Sequence, residues 1–92
     1  MIRKRLTFTG KVQGVGFRYR AYHAAQGLRL TGWVMNNWDG TVLMEVQGQE
    51  DEIDKLITMI GRGTFIMIDR IESKTIPLAE DERSFKVRHG GE

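Results

Sequence analysis

Cysteine is absent from the sequence, which excludes disulfide staples and thiolate chemistry and is compatible with a reducing compartment. No apolar run approaches the roughly 18–20 residues that carry a helix across a bilayer. The basic opening MIRKRLTFTG is not followed by the hydrophobic region of a signal peptide. Neither sign of charge dominates: 14 Lys and Arg stand against 12 Asp and Glu, a formal net charge of +2. So small an excess suits a small anionic ligand as well as nucleic acid, and it selects neither. Histidine is scarce too. His23 and His89 lie far apart, without carboxylates or thiols at ligand spacing, so neither a metal nor a cofactor is expected.

What is present is a globular balance, 40% hydrophobic against 28% charged residues, which excludes disorder. A chain of 92 residues makes one domain, 1–92, with a single core. Alternation in RLTFT, residues 5 to 9, predicts a half-buried strand with Leu6 and Phe8 on one face. Phe17, Ala21, Ala24 and Leu28 recur at helical spacing. Trp33 and Val34 lead into a turn. Asp39-Gly40 is a turn pair, and Val42, Met44 and Val46 then share one face, so residues 31 to 48 read as a hairpin with a loop around Asn37 to Gly40. EDEIDKLITMI, residues 50 to 60, is the clearest helix, with three acids in its first turn and Ile53, Leu56, Ile57 and Ile60 on one stripe.

A fourth strand spans about Ile66 to Ile76, with its alternation broken near Asp69-Arg70, a sign of a bulge, and Pro77 ends it. SFKVR closes the chain as a short strand. Two consecutive βαβ halves, each with a right-handed crossover, predict a ferredoxin-like βαββαβ sandwich of class α+β. Its sheet is expected to be antiparallel, with two helices on one face.

GKVQGVGFR, residues 10 to 18, joins the first strand to the first helix. Gly14 and Gly16 tolerate positive φ, which lets successive N–H groups converge on an anion beside a helix N-terminus. Arg18 sits where the helix dipole mildly repels a cation. A bound oxyanion makes that position favourable, since a guanidinium fork matches two phosphate oxygens. The alternative is a tight turn with a solvated arginine. The loop is neither a Walker A motif nor a GxGxxG fingerprint.

GKVQGVGFR resembles the first signature of acylphosphatases, Gly-x-Val-Gln-Gly-Val-x-aromatic-Arg. GWVMNNWDGTV, residues 32 to 42, resembles the second, and Gly48 follows at the family's spacing. The similarity continues through DEIDKLI, DRIE and FKVR, so it covers nearly the whole chain. The departures are GRGTF in place of a Gly-Pro-Pro turn, Met35 at a position often basic, and Gly16 where a bulkier residue is common.

The resemblance implies hydrolysis of acyl phosphates to a carboxylate and inorganic phosphate, without metal or cofactor. By the same resemblance, the phosphate is held by backbone N–H groups of Gln13, Gly14, Val15, Gly16, Phe17 and Arg18 and by the Arg18 side chain, while Asn36 orients the attacking water. The implied substrate is a small molecule. The chain is expected to be a free-standing cytoplasmic monomer with no nucleic-acid or membrane partner. Trp38, Lys11 and Arg20 are further candidates near the site.

An RNA-recognition reading of QGVGFRYR fails at Gln13, Val15 and Arg18 and places the motif on a loop rather than on a central strand. A second rival is the acylphosphatase-like domain that opens larger carbamoyl-transferring factors. No zinc-finger cysteines follow here, so the free-standing enzyme is expected.

Overall fold

Phe8, in the second half of the first strand, packs edge-on against Phe17 at the start of the first helix, with ring centroids 4.9 Å apart. That contact anchors both ends of the glycine-containing loop. The computed structural model describes residues 1–89, so the last three positions of the expected 1–92 domain lie outside it. The order is β1 (Ile2–Lys11), α1 (Phe17–Gly27), β2 (Thr31–Asn36), β3 (Val42–Gly48), α2 (Glu50–Gly61), β4 (Met67–Ile76) and β5 (Phe85–Arg88). Among the described residues, no helix is long and apolar enough to cross a membrane.

Pleating divides each strand between two faces of one sheet. Leu6 and Phe8 of β1 pair with Met44 and Val42 of β3, and all four are buried. They share a core with Phe17, Ala21 and Ala24 of α1 and with Ile53, Leu56 and Ile60 of α2. Both helices therefore cover the same face, as the two right-handed crossovers predict. The bulge is also present: Thr9 pairs with Arg70 but Gly10 with Ile68, which leaves Asp69 as the extra residue on β4.

The sheet runs β4-β1-β3-β2-β5, with antiparallel β1–β4, β1–β3 and β2–β3 pairs. β5, however, pairs parallel with β2, so the sheet is mixed rather than wholly antiparallel. The reason is topological. β4 and β5 occupy opposite edges, so residues 77–84 must cross a whole face of the sheet, and they cross the one without helices.

Part of that face is buried beneath the crossing segment and is held by polar groups. Arg3, only 4% exposed, donates to Glu45 at 3.0 and 3.1 Å and to Glu82 at 2.7 and 3.1 Å. Arg5 donates to the other Glu45 oxygen at 2.6 and 2.9 Å. Gln47 binds both the N–H and the C=O of Ala79, pinning the crossing segment. Arg88 stacks over Trp33 at 4.5 Å. A buried guanidinium is tolerable only when its charge is met, and two carboxylates meet this one.

Burial pushes the Glu45 carboxyl up, but hydrogen bonds and charge from Arg5 and Arg3 outweigh it and hold the group below the usual glutamate range. A lowered folded pKa means that the contribution is complete above the unfolded value of about 4.3 and is lost as pH falls through the folded one. Glu45→Gln is expected to cost about 3 kcal/mol at neutral pH, because it leaves Arg3 under-compensated. In urea melts the wild-type midpoint should fall below about pH 4.3, and the variant should lose less over that range.

Candidate active site

Strand β1 ends at Lys11 and α1 begins at Phe17, leaving a short loop to reverse the chain. Gly14 and Gly16 adopt φ of +71° and +82°, a region that side-chain-bearing residues rarely enter. Gly16 is the N-cap and supplies no side-chain acceptor, and α1 carries no acid in its first turn. In α2, Glu50, Asp51 and Glu52 fill the equivalent place. The start of α1 thus presents positive potential that its own sequence does not neutralise.

Arg18, in that first turn, is half-buried. One of its terminal nitrogens lies 3.2 Å from His89 Nδ1. Since a guanidinium only donates, this hydrogen bond makes Nδ1 the acceptor. Asn36 is the last residue of β2, and its Oδ1 is fully enclosed without a hydrogen-bond partner among the described residues. An enclosed acceptor left unmet costs about 1–3 kcal/mol, so the position suits a bound water or ligand donor.

Arg18 and Asn36 line one cleft of about 360 Å³. Val12, Gly14, Gly16 and Phe17 form its loop side, and Tyr19, Val87 and His89 complete it. Of the six residues expected around phosphate, Gly14, Gly16, Phe17 and Arg18 line this cleft, whereas Gln13 and Val15 do not. Val15 lines an adjacent groove instead.

The Gln13 carboxamide instead donates to the carbonyls of Asn37 at 2.6 Å and Thr41 at 2.9 Å. Those carbonyls belong to the β2–β3 turn, which is itself closed by hydrogen bonds. Asp39 accepts from the Thr41 N–H and hydroxyl, and Asn37 donates to the Thr41 hydroxyl. The two Thr41 hydrogen bonds hold the Asp39 carboxyl below its usual range. Gln13 therefore fixes the loop to the turn that follows Asn36, coupling the two halves of the site.

Trp38 is 91% exposed at that turn and lines none of the cleft. Lys11 is exposed, and the Arg20 Nε donates to the Met59 carbonyl at the end of α2, so neither reaches the cleft. Sequence reasoning passed over Val12, Tyr19, Val87 and His89 as site residues. Val87 was legible as an inward strand position. His89 was not, because it arrives through the parallel pairing, one position beyond the Met35–Arg88 pair.

The Acylphosphatase family model matches residues 4–87. The acylphosphatase of Geobacillus thermodenitrificans (strain NG80-2) is 42% identical over 92 residues, which cover 99% of this chain and 98% of that one. The crystal structure of the Bacillus subtilis acylphosphatase superposes with a TM-score of 0.88 at 30% identity, over 97% of this chain and all of that one. HypF of T. kodakarensis also superposes, with a TM-score of 0.81 at 33% identity, but over only 12% of its own length. Sequence and fold agree over the same span, and the chain belongs to the acylphosphatase family.

Proposed function

We propose that this chain hydrolyses the carboxyl–phosphate bond of small acyl phosphates in the cleft between Arg18 and Asn36. The observation that carries the reading is the convergence of a cationic fork and an enclosed, unmet amide oxygen beside a loop with two left-handed glycines. Such a site suits a reaction that needs charge neutralised and one water aimed.

The phosphoryl group binds against the loop N–H groups that border the cleft, those of Gly14, Gly16, Phe17 and Arg18, and against the Arg18 guanidinium. The Asn36 carboxamide, at the cleft wall, positions a water with the water's lone pair aimed at phosphorus. The water oxygen forms the new P–O bond as the bond to the carboxyl oxygen breaks, and the acyl carboxylate leaves with that electron pair. The water's proton passes to a phosphoryl oxygen, giving inorganic phosphate. Phosphoryl transfer of this kind has a loose transition state, so positioning and electrostatics supply most of the acceleration. A carboxylate is a good leaving group, so no strong general acid is called for.

Hydrolysis of a synthetic acyl phosphate, followed in the ultraviolet with EDTA present, tests the proposal. Wild type should be fast, and Arg18→Ala should lose at least roughly 10²–10³ in turnover, together with affinity for phosphate. Arg18→Lys should recover little, since a point charge does not reproduce the fork. Asn36→Ala should lower kcat while inhibition by inorganic phosphate stays close to wild type; near-normal kcat in that variant overturns the water-positioning role. Gln13→Ala removes two hydrogen bonds that fix the loop, each worth about 1 kcal/mol, and should raise the inhibition constant for phosphate.

A further inference from the structure

A groove of about 490 Å³, larger than the phosphate cleft of about 360 Å³, lies between α1 and the end of α2. It shares Gly16 and Tyr19 with the cleft, so the two are neighbours. Its walls are the apolar surfaces of Val15, Ala24, Met59 and Ile66, with the Tyr19 ring at the junction. Tyr19 is 72% exposed, and its ring packs at a tilt against His23, with centroids 4.3 Å apart.

Arg20, His23 and Arg62 also line the groove, and among the described residues no acidic one does. Arg20 is committed to the Met59 carbonyl. Arg62 makes no salt bridge with a described residue. Asp54 lines a neighbouring depression that shares Met59 and Arg62 with the groove, and it does not line the groove itself.

Reaction geometry connects this groove to the cleft. The proposed attack requires the leaving oxygen roughly opposite the incoming water. Asn36 lines the cleft but not the groove, so the acyl group leaves away from Asn36, and the groove past Gly16 and Tyr19 offers it space. Resting on the acyl phosphate reading, we infer that the α1–α2 groove receives the acyl group, and that it favours an apolar or aromatic acyl group bearing a distal carboxylate that meets Arg62.

The test compares acetyl phosphate, benzoyl phosphate and 4-carboxybenzoyl phosphate on wild type and Arg62→Glu. Wild type should show kcat/KM rising in that order. The ratio for the carboxylated over the plain benzoyl substrate should fall at least roughly fivefold in Arg62→Glu, the scale of one exposed ion pair. Equal changes for all three substrates, or no preference in wild type, overturn the inference.

A second readout separates this inference from the catalytic reading. Amide NMR shifts are followed on Arg18→Ala during titration with terephthalate, the product carboxylate. Shifts confined to Tyr19, His23, Met59 and Arg62 support the groove even if no substrate is hydrolysed. Their absence overturns it even if hydrolysis is fast.

Discussion

An arginine sits almost entirely out of solvent on the helix-free face of the sheet, and the arrangement of the chain's last third depends on how its charge is met. Arg3 holds Glu45 from the neighbouring strand and Glu82 from the crossing segment. A lone guanidinium in that position would be strongly destabilising, so the segment that delivers Glu82 is bound to the sheet by the same requirement that makes Arg3 tolerable. Gln47, gripping Ala79 at both backbone groups, fixes where the crossing runs. The crossing delivers β5 to the far edge beside β2, and that pairing carries Val87 and His89 to the wall of the cleft. An ion network on one face thus helps to build a site near the end of the other layer.

The cleft joins two supports that are distant in sequence. The loop after β1 owes its shape to two left-handed glycines, and its position to Gln13, which reaches into the hairpin turn just beyond Asn36. The contrast between the helices is informative. α2 begins with three carboxylates that complement its dipole, whereas α1 begins with none and adds an arginine. Local propensity is violated at one helix start and obeyed at the other, which is where a ligand's charge is expected to complete the electrostatics.

Most elements were legible because each carries its own period. The stripe of Ile53, Leu56 and Ile60 gave α2 to within a residue, and the break in alternation at Asp69 marked the bulge. β1 was read too short because Arg3 looks like a surface residue, and only the three-dimensional meeting with Glu45 and Glu82 shows why it is buried. The direction of β5 was misread for a related reason: nothing in FKVR says which edge it joins, since that is decided by a crossing held through side chains far away in sequence. Within the site, Arg18 and the glycine loop could be argued from local chemistry. Asn36 could be placed only through the family resemblance, and the groove between the helices was not legible at all, because it exists only where α1 and the end of α2 meet.

The extra residue at Asp69 also bears on how the molecule meets other copies of itself. β4 is an outer strand of ten residues, and an exposed strand of that length is a template for another chain to zip onto. The bulge interrupts the even spacing of its outward N–H and C=O groups, the exposed charges of Arg70, Glu72 and Lys74 repel or solvate what approaches, and Pro77 removes a donor just past its end. A residue that looks like an irregularity in strand pairing therefore guards this edge against strand-to-strand aggregation.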